Sequence, residues 1–163
     1  MKRGSTLFLK IAVICIGIPV LALCIFLLPQ IGKEAIEAVD KGSTVAYMVF
    51  GILGIMYGST IPFYFALYQA LNLLNYIDKN HAFSELSVTA LKKIKICALI
   101  ISGFYVMAIP FVYIIAEIDD APGLIIVGLI MIFAPLVIAV FAAVLQRLLQ
   151  EAITIKSEND LTV

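Results

Sequence analysis

Four stretches of this chain are long and apolar enough to cross a lipid bilayer, and that feature excludes most of what 163 residues could otherwise become. A hydrocarbon core of about 30 Å requires about 20 mostly apolar residues rising 1.5 Å each. Residues 7–29, 44–71, 96–116 and 123–145 meet that requirement. Only closed barrels and helices satisfy every backbone polar group in hydrocarbon, and runs of this length are helices. The expected fold is an all-α membrane protein: a single domain over residues 1–163, built as a bundle of four transmembrane helices. Composition agrees, with 63% hydrophobic and 13% charged residues and a mean hydropathy of +1.12. Soluble domains carry about 45–50% and about 25%. A soluble enzyme, a disulfide-stapled secreted module and a disordered tail are excluded.

Lys2 and Arg3 before the first run resemble the start of a signal peptide, but the run is longer than an h-region and no small-x-small site follows. The segment is therefore kept as a span. Orientation follows the distribution of Lys and Arg. Of the 11 basic residues, only Lys33 and Lys41 fall on one side. Lys2, Arg3, Lys10, Lys79, Lys92, Lys93, Lys95, Arg147 and Lys156 fall on the other. Both termini and segment 72–95 are predicted to be cytoplasmic, in a multi-pass protein of the bacterial cytoplasmic membrane. Basic and acidic residues balance at 11 each, so no direct nucleic-acid partner is expected.

Chemistry-bearing residues are sparse. No Asp, Glu, His or Arg lies at depth in any span, which removes the titratable group a proton-coupled pump needs. Cys15 and Cys24 are nine residues apart and face opposite sides of a helix, while Cys97 lies at the far end of another span. His81 stands alone in a polar turn, without the partners a metal site requires. No phosphate-cradling loop and no activated serine is present. The expectation is a non-enzyme without cofactor or metal.

The spans carry packing signals. Gly51, Gly54 and Gly58, with Ala98 and Ser102, and Ala139 and Ala143, allow close helix approach within a bundle, or along a homodimer seam. Pro19, Pro62, Pro110 and Pro135 place one kink in each span. Tyr57, Tyr64 and Tyr68 share one helix face and Tyr105 lies at similar depth. Tyr57, Tyr64 and Tyr105 are candidates to line a ligand pocket, against the plainer role of packing. At the basic end, Ser84 is a helix N-cap, with Phe83 stapling onto Val88. The third helix should begin there, before the membrane, and carry Lys92, Lys93 and Lys95 at the lipid surface. The fourth should overrun its span, because Leu148, Leu149, Ala152, Ile153 and Ile155 continue its apolar stripe. Two helical stubs standing together would form a docking platform.

The turn Asp78…Ala82-Phe83-Ser84, the Leu91-Lys92-Lys93-Ile94 that follows and the ending Glu158-Asn159-Asp160-Leu161-Thr162-Val163 resemble the bacterial membrane-protein family catalogued as domain of unknown function 2975. The resemblance covers essentially the whole chain, and the terminal Asp-Leu-Thr-Val is its most specific element. It implies a membrane partner for a small helix-turn-helix regulator, since members are often encoded beside one. The expected function is thus a non-catalytic membrane anchor or sensor for such a regulator, with Phe83, Lys92, Lys93, Asn159, Asp160 and Leu161 as contacts. The alternative is a facilitator or exporter of a neutral amphiphile through the kinked bundle.

Overall fold

A computed structural model describes residues 3–162, and every described element is helical. Lys2, counted among the basic residues above, and Val163, the last residue of the family-like ending, lie outside them. Helix α1 (Arg3–Ala22) passes through a π turn (Leu23–Leu27) directly into α2 (Leu28–Asp40). Then follow α3 (Thr44–Asp78), α4 (Glu85–Ile118) and α5 (Gly123–Leu161). Four continuous helices, Arg3–Asp40, Thr44–Asp78, Glu85–Ile118 and Gly123–Leu161, are long and apolar enough to span a membrane.

Only short turns join them, and each closes by one device. Gly42, Asn80 and Asp120 adopt φ of 81°, 59° and 50° just past a helix end. The next amide then reaches back five residues, Ser43 N to Ala38 O, His81 N to Tyr76 O and Ala121 N to Ala116 O. This left-handed cap satisfies carbonyls that a helix C-terminus leaves open. At the start of α4, Ser84 Oγ accepts from Ser87 N as the N-cap and donates to His81 O at 2.6 Å.

The helices run up and down, α3 against α4 and α4 against α5, with α1 and α2 laid along α3. Lys10 of α1 pairs with Asp78 at the end of α3, and Gln150 of α5 hydrogen-bonds Glu85 at the start of α4. The start of α1, turn 79–84 and the end of α5 therefore share one end of the molecule, called here the terminal face. The core is rich in small residues, with Ala46, Ala90, Ala98, Ala108, Ala116, Ala139 and Ala142 buried beside Leu53, Leu74, Val88, Leu91, Ile115 and Ile132. Most other large apolar side chains point outward, Ile61 being 75% and Phe26 71% exposed. That inversion suits lipid, where helices associate through close backbone approach rather than water exclusion.

The first span was expected to stop at Pro29, with surface chain to Ser43. The helix instead continues to Asp40. Proline is tolerated there because it stands in the first turn of α2, where an amide is dispensable. On either side of it Leu28 and Ala35 bury themselves while Lys33, Glu34, Glu37 and Asp40 face outward, which makes α2 amphipathic. Segment 72–95 is likewise almost wholly helical, leaving 79–84 as the turn.

Candidate functional site

The terminal face is assembled from α5 and the turn before α4. Helix α5 has 39 residues and so extends about 58 Å, far more than a bilayer needs. Its overrun keeps its helical bonding, and Thr154 Oγ1 folds back onto Gln150 O at 3.0 Å. Lys95 donates to Gln146 at 3.2 Å and Gln150 to Glu85 at 3.1 Å, which registers α5 against the start of α4. Past that point α5 is flanked only by the turn, so the two stubs are unequal. Between them lies a groove of about 480 Å³ lined by Phe83, Ala152, Ile155, Lys156, Asn159 and Asp160. Its floor is apolar and its rim carries one cation, one carboxylate and one amide. Phe83 and Ile155 are each 58% exposed.

Of the expected contact residues, Phe83, Asn159 and Asp160 come together in this groove. Leu161 lies just past it at 83% exposure. Lys92 and Lys93 are exposed but sit about two turns along α4 from its start, outside the groove. Lys156 was noticed only as a charge, Ala152 and Ile155 only as a stripe; their meeting with Phe83 depends on how α5 passes the turn.

The tyrosines have separate assignments. Tyr57 donates to Cys24 O at 2.9 Å and Tyr64 to Gly17 O at 2.9 Å. The first bond has a specific cause. Leu28 N reaches back to Leu23 O across the π turn, and Pro29 has no N–H to offer Cys24. Its carbonyl would be unpaired in hydrocarbon, where that costs most, and the tyrosine supplies the donor. Tyr105 instead meets Ser59 Oγ at 3.2 Å and borders two partly open cavities of about 260 and 310 Å³.

The glycines divide as well. A Cβ at Gly51 would meet the Phe111 ring at 3.4 Å and one at Gly58 the Phe104 ring at 3.7 Å, so both seat α4 aromatics on α3. Gly54 has open space in front of it. Ala98, Ser102 and Ala139 are buried, and Ser102 donates to Ile132 O at 3.0 Å across α4 and α5. Cys15, Cys24 and Cys97 are free thiols. Among the described residues no three His, Cys, Asp or Glu side chains gather around a metal-sized space.

Compared with known proteins, residues 8–163 match the family described as "Protein of unknown function (DUF2975)". The chain is 62% identical over 163 residues to an uncharacterized membrane protein, YoaS, of Bacillus subtilis (strain 168), and the match spans all of both chains. No solved structure matches.

Proposed function

The chain belongs to this family of membrane proteins of unknown function, and from that premise we propose that it is a non-catalytic anchor or sensor that docks a small cytoplasmic protein. The supporting observation is the groove in which Phe83, Asn159 and Asp160 meet above an apolar floor of Ala152 and Ile155. Exposed Phe and Ile side chains beyond a membrane span, ringed by polar groups, are the surface pattern of a docking site. The occupant is a small helix-turn-helix regulator, as the family resemblance implies, and the basic charge distribution supports a cytoplasmic terminal face. No reaction is assigned to the groove, and Lys92 and Lys93 hold lipid headgroups rather than the partner.

The test is a crosslinked pull-down from native membranes with the full chain, a chain ending at Glu158, and Ile155→Asp. The expected result is a small DNA-binding protein recovered with the full chain alone. Equal recovery from all three would remove the groove from the partner's contacts. If none of the three recovers such a protein, the anchor reading falls.

A further inference from the structure

The first helix, α3, α4 and α5 border a partly open cavity of about 260 Å³ whose wall includes Leu28, Met56, Ser59, Tyr105, Met131 and Pro135. A second space of about 310 Å³ adjoins it, and Met56, Tyr105 and Met131 border both. Two of the three side chains between them are methionines, which shift at little cost. A closed dry cavity of about 150 Å³ already accepts benzene, and this partly open space of about 260 Å³ has room for an apolar group of at least that size.

The hydroxyls on this wall can be assigned proton by proton. Ser59 donates its single proton to Met56 O at 2.8 Å. In the 3.2 Å contact between Ser59 and Tyr105, Tyr105 must then be the donor. Thr60, also on the wall, spends its proton on Tyr57 O at 2.5 Å. All three protons are committed, and what Tyr105 retains is lone pairs on its phenolic oxygen. The wall is therefore apolar, with lone pairs on the Tyr105, Ser59 and Thr60 oxygens as its acceptors and no free hydroxyl donor.

We propose that this cavity binds an apolar molecule carrying a hydroxyl group, an aliphatic or isoprenoid-type alcohol, whose chain fills the space and whose O–H donates to the Tyr105 oxygen. An ether or ketone of the same shape has no proton to give. To bind as an acceptor it must take the Tyr105 proton away from Ser59, exchanging one bond for another. The selectivity thus resides in the Met56–Ser59–Tyr105 relay, and it does not depend on what docks at the terminal face.

The test uses the purified full chain in nanodiscs, photolabelled with dodecanol bearing a mid-chain diazirine and, separately, with its methyl ether. Labelled positions are read by mass spectrometry. The alcohol should label the cavity wall at least about threefold more than the ether, the effect of one net hydrogen bond. Tyr105→Phe should weaken that preference, the Ser59 and Thr60 oxygens remaining as acceptors, while leaving ether labelling unchanged. Ser59→Ala, which frees the Tyr105 proton and keeps the cavity, should shift preference towards the ether. Ala134→Phe should fill the space and remove labelling by both. Equal labelling of the unmodified chain by alcohol and ether overturns the proposal, as does an alcohol preference that Ser59→Ala leaves unmoved.

Discussion

Two parts of this molecule solve the problem of holding helices together in lipid by different means. Helices α3, α4 and α5 pack broadly, with buried alanines bringing backbones close and Phe104 and Phe111 seated on glycines. The first helix lies along α3 and is pinned to it at points: Lys10 to Asp78, Tyr64 to Gly17 O and Tyr57 to Cys24 O. Its outward face is almost all lipid-exposed, Phe8 at 70% and Ile18 at 58% among others. Area packing resists any single deletion but tolerates little added volume. Pinning tolerates volume on the exposed face of the first helix, though not at Gly17, where a Cβ would meet Leu67 at 3.1 Å, and it depends on individual polar groups.

The largest expected effect is therefore overpacking in the first region. Ala139→Leu, at a position 3% exposed, should lower stability by about 1–3 kcal/mol. The same substitution at Ala22, on the first helix and exposed, should cost almost nothing. Thermal unfolding in detergent distinguishes the two, and equal costs would erase the contrast. Next in size is removal of a pin. Tyr57→Phe should cost about 0.6 kcal/mol and at most about 1.7, the range for polar contacts between membrane helices. In a Pro29→Ala background the cost should shrink, because residue 29 regains an N–H for Cys24. A double-mutant cycle reads the difference.

The third test is acid. The hydrogen bond from Lys10 holds the Asp78 carboxyl below its ordinary value. The unfolded chain then takes up that proton more readily than the folded one, so the tie is present at neutral pH and lost as pH falls below the usual carboxylate range. A Tm-against-pH profile should drop there, and Asp78→Asn should start lower and lose that part of the slope. Smallest is Arg147→Ala. The pair with Glu151 spans 3.4 Å between side chains 84% and 61% exposed, and its loss should leave Tm unchanged within error.

Much of this architecture is legible in the residues. The four spans, the Ser84 cap and the overrun of α5 follow from apolar run length, cap chemistry and a continued stripe, all of which are local. The pins are not. Tyr57 and Tyr64 can be seen to share a face, but their acceptors are backbone carbonyls on another helix, and a carbonyl carries no residue identity. Lys10 and Asp78 lie in different helices and each looks like a rim charge until α1 is laid on α3. The continuation past Pro29 hides for a related reason: a proline that ends most helices is silent in a first turn. In the groove, Phe83, Asn159 and Asp160 were separately visible, while Ala152 and Ile155 beneath them needed the crossing of α5 over the turn.

The length of α5 has an electrical consequence. From Leu145, where its apolar run ends, to Leu161 the helix rises about 24 Å. Physiological salt screens charge over about 8 Å. Glu158 and Asp160 thus stand about 20 and 22 Å beyond the end of that apolar run when the helix is upright, between two and three screening lengths. An acidic end that would be repelled if it lay against an anionic leaflet is held where the surface potential has decayed. Lys95, hydrogen-bonded to Gln146, is level with the end of that run, and Lys92 and Lys93 lie within about 5 Å of it along α4.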